Sequence, residues 1–456
     1  MEEMGINLSE DDRMKYANLW WPHGENGQEQ NEMVNIGDIL QFLAIDYLYQ
    51  TFGIGQKDIY KLRMDEVATY DGEESLVLPL NWCIFDPFYM DGDRLNISPK
   101  IKPVFLAMTL GSRHKDSYFN EYNIQYLKKY EPIGCRDEVT MKVLREYGID
   151  AYLNGCLTAT LPRRSKTPAT GKTYIVDAPL ELEEYIPADI LANAKCMTQQ
   201  YYCSKETFSR EELVEEIKAQ YREYEKEATL VITSRLHVAS PCMAMGIPVI
   251  FVKRRIDERF AWLDKLLPLY DYSQFDDINW QPSSIEYEEV KKKIQKNAYN
   301  RIEETKRKYE DANSISNYWE DRKKIQYADF RKVLQYDFEG IKEFMQRYWS
   351  KEKNISYSLW GINKGAETLV SYIEQTWPNA KLKNIIDTYR TVELRGKTSI
   401  KPEEITVNSE EYILVLAVGA SNMAWKKFEE LQMPKNRYFI VGDLYITRGS
   451  DHKMEK

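Results

Sequence analysis

The sequence is short of the residues that build metal and redox centres. Among 456 residues there are four histidines, His23, His114, His237 and His452. That is too few, and too scattered, for a histidine-rich metal site, and no metal is expected. The cysteines, Cys83, Cys135, Cys156, Cys196, Cys203 and Cys242, match no zinc or CxxC spacing. They read as reduced, mostly buried thiols. No apolar run reaches the ~18 residues of a transmembrane helix. The opening MEEMGINLSEDDRM is acidic and has no apolar h-region, so no signal peptide is expected. The expected location is the cytoplasm, at most peripheral to the inner face of the membrane. Basic charge is not in excess: 62 Lys+Arg face 72 Asp+Glu, a net charge of −10. This argues against a nucleic-acid partner but leaves room for a local anion pocket. There is no short internal repeat and no low-complexity tract.

What is present is bulk. Apolar residues make up 43% and aromatics 13%, with 33 Tyr and 10 Trp, which excludes global disorder. At ~150 residues per domain the length suggests about three domains. Residues 1–30 are polar and read as an irregular lead-in. Asn35-Ile36-Gly37-Asp38 is a turn, followed by a buried helix that opens at Asp38 and ends near Gly53. Buried strands are expected at 75–82, at 104–111 and in the run ending at Cys135. EVTMKVLREYG then reads as an amphipathic helix capped by Asp137. Strands alternating with helices imply parallel, helix-covered sheets.

The segment 161–172 is rich in Pro, Gly, Ser, Thr and basic residues and reads as a linker. Beyond it, TYIVDAP opens a second α/β unit containing the strand TLVIT, the helix RLHVASPCMAM and the strand VIFV. Pro241 should kink that helix or end it early. Residues 286–312 read as a charged surface helix leading out of the domain. A third unit spans about 354–456. The expected domains are therefore 1–165, 166–335 and 345–456. The expected fold class is α/β, with parallel, helix-covered sheets in each of the three units and the C-terminal unit the smallest.

Four constellations could carry chemistry. Thr233-Ser234-Arg235-Leu236-His237 follows an apolar strand and opens a helix. Ligands of open α/β sheets bind beyond the carboxyl ends of strands, where free N–H groups and the helix dipole favour an anion. Arg235 adds a fork of donors there, Ser234 a hydroxyl, and His237 a group able to move protons near neutral pH. The bland alternative is a surface arginine and a core histidine. Gly134-Cys135-Arg136-Asp137 repeats the arrangement in the first unit. Arg136 either pairs with a nearby carboxylate or faces Arg235 across a cleft to hold a small dianion. At the third, Asn35, Gly37 and Asp38 are substrate-contact candidates: Gly permits close approach, and Asp38 either caps the helix or acts as a base toward a sugar hydroxyl. The fourth is Lys253-Arg254-Arg255, either a solvated charge run or, through Lys253, one more donor to substrate. Gly361-x-x-x-Gly365 lacks GxGxxG spacing and reads as a structural turn. Cys156 has no basic neighbour in sequence that would lower its pKa and is not expected to be a nucleophile.

At these residues the sequence resembles the polysaccharide pyruvyl transferase family. The matching segments are NIGDILQFLAIDYL, PIGCRDEVTMKVLREYGIDAYLNGCLTATLP and VITSRLHVASPCMAMGIPVIFV, within residues 31–253. The resemblance implies two Rossmann-like domains facing across a cleft in the GT-B manner, and the C-terminal unit is similar to the smaller Rossmann-like modules attached to glycan-modifying enzymes. The resemblance also implies transfer of the enolpyruvyl unit of phosphoenolpyruvate onto a sugar, as a ketal bridging two hydroxyls. The family's basic residues fall on Arg136, Arg235 and His237, with His237 the candidate general acid. Phosphoenolpyruvate is then the donor substrate and no other cofactor is expected. The acceptor would be a nucleotide- or lipid-linked sugar, and homo-oligomerisation stays open. The resemblance implies nothing dependable for residues 340–456. Two other readings stand beside it: a GT-B-type glycosyltransferase using a nucleotide sugar, and a non-catalytic carbohydrate or assembly scaffold.

Overall fold

The computed structural model describes residues 14–20, 32–110, 116–203, 210–257, 260–310, 338–363, 365–405, 411–442 and 444–446. Its architecture is α/β and Rossmann-like, built on three parallel sheets. In the first, the strands Ile59–Arg63, Lys15–Trp20, Leu76–Leu80 and Ile101–Phe105 lie side by side in that order. A parallel bridge from Met108 to Cys135 attaches the pair Ile133–Cys135 and Ala151–Leu153 to its edge. The second sheet orders Ala194–Met197, Lys172–Val176, Ala228–Thr233, Val249–Val252 and Leu269–Tyr270. The third orders Ala380–Ile386, Ile355–Trp360, Glu411–Val415 and Tyr438–Ile440.

Several sequence expectations need correction. Lys15–Trp20 is not an irregular lead-in but an interior strand of the first sheet, with Ala17, Asn18 and Leu19 buried. Its polar residue disguised it. The Asn18 amide donates to the Phe42 carbonyl at 2.8 Å and to Asp46 Oδ1 at 2.7 Å, which permits its burial. The rest of the predicted lead-in, residues 1–13 and 21–30, lies outside the described residues. The buried helix opens at Ile36 rather than Asp38 and runs to Thr51. Asn35 is its cap, its side-chain oxygen accepting from Gly37 N at 3.1 Å. The strand expected at 104–111 is instead Ile101–Phe105, with the chain beyond it making only isolated bridges.

The charged helix Glu288–Glu310 does not lead away. It crosses back onto the first unit, where Tyr16 donates to Glu303 at 2.7 Å and Arg301 to the Glu131 carbonyl at 3.1 Å. Ile294, Ala298 and Ile302 form its buried edge, a stripe narrow enough to be hidden among its charges. The linker is pinned as well: Arg164 is buried and donates to the Ala228 carbonyl at 2.7 Å and the Gly246 carbonyl at 3.3 Å.

One apolar cluster is shared by the first two sheets. It takes Val77 and Val104 from the first, Val176 and Val231 from the second, and Leu40 and Leu43 from the helix between them. A short antiparallel pair, Glu32–Asn35 with Gln200–Cys203, ties the entry of that helix to the second unit. Burial at roughly 25 cal/mol per Å² makes such a shared core the dominant cohesive term between the units. Among the described residues no helix is long and apolar enough to cross a membrane.

Candidate active site

The corner after Ala228–Thr233 is organised by Asp177, which sequence reasoning overlooked. Asp177 follows the neighbouring strand Lys172–Val176 and is only 1% exposed. Its backbone is left-handed, φ 46°, a strained conformation that short polar residues tolerate best. Its Oδ2 accepts from Arg235 Nε at 2.7 Å and from Gln199 N at 3.0 Å. Its carbonyl accepts from the Ser234 hydroxyl at 2.5 Å, so that donor is spent inside the protein. Burial pulls the Arg235 pKa down, but the Asp177 carboxylate, Tyr445 and Asp38 together raise it, and the guanidinium stays charged. Its Nη2 is buried without a partner.

Helix Leu236–Ala244 starts at Arg235, and no side chain caps its first N–H groups. Of the two outcomes expected for Pro241, a kink or an early end, the early end does not occur: the helix runs on to Ala244. A proline at that position has no N–H for the carbonyl four residues back, that of His237. The freed carbonyl accepts instead from the Tyr221 hydroxyl and from Gln199 Nε2, the latter at 3.3 Å. The helix defect thus becomes an anchor for His237.

His237 is 8% exposed. Burial, then the nearby charges of Arg136 and Arg235, holds its imidazole well below the ordinary range, so it is neutral at pH 7. Nδ1 stands 3.8 Å from the Asp38 carboxylate, and Nε2 is buried without a partner. Gly37 permits this meeting of units. A Cβ there would lie 2.9 Å from His237 Cβ and 2.6 Å from Gln199 Oε1.

Arg136 arrives from the first unit. Its N–H donates to the Met108 carbonyl at 2.7 Å and Nη2 to the Asn81 carbonyl at 3.2 Å, while Nε has no partner. The structure therefore gathers Arg136, Arg235, His237, Gly37 and Asp38 from two units. Asn35 contributes as the helix cap. Lys253 follows the next strand and sets its ammonium over the Phe260 ring at 5.8 Å. Its neighbour Arg254 pairs with Glu181. Among the described residues no cluster of three or more His, Cys, Asp or Glu is placed to hold a metal.

A family model described as polysaccharide pyruvyl transferase matches residues 35–255. Over that segment, just under half of the chain, the protein is similar to this family. The matched segment carries Arg136, Arg235 and His237, together with Asp177, which holds Arg235, and Gln199, which donates to the His237 carbonyl. It stops before the long helix and the third unit. No curated protein matches the chain. A solved structure of an uncharacterized Klebsiella pneumoniae protein shares 12% identity, covering 54% of this chain and 88% of its own. Its TM-score of 0.30 is too low to support an argument.

Asp177 had a weak sequence signal, an acid directly after an apolar strand at the same sheet edge as Arg235. Gln199 and Tyr221 had none, because a carbonyl freed by a proline finds its donors through space.

Proposed function

We propose that this protein is a ketal-forming pyruvyltransferase that takes phosphoenolpyruvate as donor and a nucleotide- or lipid-linked sugar of a surface glycan as acceptor. The observation that carries this reading is the convergence on His237 of the charges of Arg136 and Arg235, with Arg235 Nη2 and His237 Nε2 buried and unpartnered. A buried guanidinium donor left open in this way suits a ligand rich in acceptors, and an unpartnered imidazole nitrogen beside it can exchange a proton with that ligand. Phosphoenolpyruvate brings a phosphate and a carboxylate. In this scheme Arg136, Arg235 and the uncapped helix start bind them between two Rossmann-like units arranged in the GT-B manner.

A proton adds to C3 of the enol, leaving an oxocarbenium-like C2. One sugar hydroxyl forms a C–O bond to C2, the C2–O bond to phosphate breaks, and a second hydroxyl closes the ketal, its proton leaving with the phosphate. The products are the pyruvate ketal and inorganic phosphate. His237 supplies the proton. It is neutral in the free protein, and the charges of the bound donor, with Asp38 opposite Nδ1, raise its pKa in the complex. Asp38 then stands where it can accept a proton from a sugar hydroxyl. The reaction takes place in the cytoplasm, needs no further cofactor, and leaves the oligomeric state open.

The test is incubation with phosphoenolpyruvate and acceptors bearing galactose, mannose or N-acetylmannosamine. Mass spectrometry should find a pyruvyl ketal, with release of one phosphate per turnover. Thermal protection by a nucleoside diphosphate, with none by phosphoenolpyruvate, would replace this reading with nucleotide-sugar glycosyl transfer.

A further inference from the structure

The third unit touches the anion corner, although the pyruvyl transferase segment does not include it. After strand Tyr438–Ile440 the chain turns at Gly442, φ 92°, and lays residues 444–446 along the second unit. Leu180 N donates to the Leu444 carbonyl at 3.0 Å, and Ile446 N donates to the Ala178 carbonyl at 3.1 Å. Tyr445 thus pairs antiparallel with Pro179, two residues beyond Asp177. Side chains alternate along an extended segment. Ile446, 1% exposed, enters the outer core of the second sheet beside Ile175, Ile250 and Phe275. Tyr445 faces the other way, with its ring 4.9 Å from the Arg235 guanidinium carbon.

The third unit holds this tyrosine by its backbone. Asn422, in helix Ser421–Glu430, accepts from Tyr445 N at 2.8 Å and donates to the Tyr445 carbonyl at 3.0 Å. The preceding Ser421 hydroxyl donates to the Val441 carbonyl at 2.6 Å. Arg235 is therefore gripped from two directions. Asp177 fixes Nε from within the second unit, and the Tyr445 ring covers the guanidinium from the third.

We infer that the third unit completes the anion site, with Tyr445 acting as a positioning residue that holds Arg235 with its Nη2 donor presented to the bound anion. A guanidinium fixed at one edge and one face loses less freedom when it binds phosphate or carboxylate, and that raises affinity. A ring over a desolvated cation is also a stronger contact than one in water. The inference draws on the pyruvyltransferase reading only for the identity of the anion.

The experiment is calorimetry of the full chain with phosphoenolpyruvate and, separately, inorganic phosphate. Tyr445→Leu keeps bulk but removes the aromatic face, and should weaken binding about tenfold. Tyr445→Phe keeps the face and should bind within twofold of the parent. Ile446→Asp, which breaks the docking, should reproduce the Leu loss. In an Arg235→Lys background Tyr445→Leu should add little, because there is no fork left to position. If the acceptor reaction is running, KM for phosphoenolpyruvate should rise while kcat stays within a few-fold. Melting temperatures identify any variant that merely unfolds, and Tyr445→Phe serves as the folded control. Equal affinity in Tyr445→Leu and the parent overturns the inference, as does an unchanged penalty in the Lys background. A parent that binds phosphate but not phosphoenolpyruvate overturns the donor reading and leaves this one standing if Tyr445→Leu weakens phosphate. A parent that binds neither anion overturns both.

Discussion

The corners at Arg136 and Arg235 look alike in sequence and differ in what they leave open. Each arginine follows a parallel strand and precedes a helix. At the first corner the next residue, Asp137, caps the helix, accepting from Thr140 N at 2.8 Å and from the Thr140 hydroxyl at 3.1 Å. At the second, Arg235 itself occupies the cap position and no side chain covers the helix start. The guanidinium of Arg136 spends Nη2 on the Asn81 carbonyl and leaves Nε open; that of Arg235 is held at Nε by Asp177 and leaves Nη2 open. An uncapped helix start leaves N–H groups that can serve an anion, and a capped one does not. On the proposed reading, the first corner supplies charge and the second supplies the cradle.

The sharpest test is the imidazole anchored at the second corner. His237→Gln should lower turnover by ~10²–10⁴-fold while phosphoenolpyruvate still binds, measured by steady-state kinetics beside calorimetry. Turnover near that of the parent removes His237 from proton transfer. Next, the arginines should rank. Arg235→Lys loses the fork and should weaken phosphoenolpyruvate binding ~10–100-fold, the range of a charge-assisted hydrogen bond. Arg136→Lys should lose less, and an equal or larger loss there would reverse the assignment of cradle and charge.

Smaller effects separate stability from binding. Asp137→Ala removes a helix cap and should lower unfolding free energy in urea by about 1 kcal/mol, with anion affinity unchanged. Weaker binding in that variant would make the first corner a cradle as well. Acid should expose His237. Its pKa in the folded protein is lowered, by burial first and then by Arg136 and Arg235. On unfolding it returns to about 6.5. Above that value neither state carries the proton and the group contributes nothing. As pH falls below it the unfolded chain gains a proton that the folded one refuses, so stability is lost. Between pH 7.5 and 5.5 the parent should lose about 1 kcal/mol more than His237→Gln in paired urea titrations. Equal losses would place the imidazole in a wetter setting.

Much of this was readable in the chain. The alternating apolar runs and helices announced parallel sheets, and the cap at Asp137 was placed correctly. Arg136, Arg235 and His237 stood out because a strand end followed by a helix start is a local pattern. The misses share one cause. Lys15–Trp20 looked like a tail because Asn18 sits in the strand, and only its bonds to Phe42 and Asp46, more than twenty residues on, make that burial tolerable. Asp38 could be read as a cap or as a site residue, and the choice fell only when Asn35 took the cap and left the carboxylate facing His237. Pro241 could be read as a kink or an early helix end, and the helix runs on past it to Ala244, with Tyr221 and Gln199 satisfying the carbonyl it freed.

The sequence by itself determined the class of fold and the chemical character of the two corners, since periodicity, capping and charge act over a few neighbouring residues. Only the tertiary structure decided which polar groups stay unsatisfied, and so which are available to a ligand. Whether Arg235 is held by Asp177, whether Tyr445 lies over it and whether His237 is dry all depend on residues distant in the chain. Their meeting is arranged by the shared apolar core and by the tail that docks at Ile446. Hydrogen bonding and desolvation are settled by proximity in space, and no local reading of the chain contains that distance.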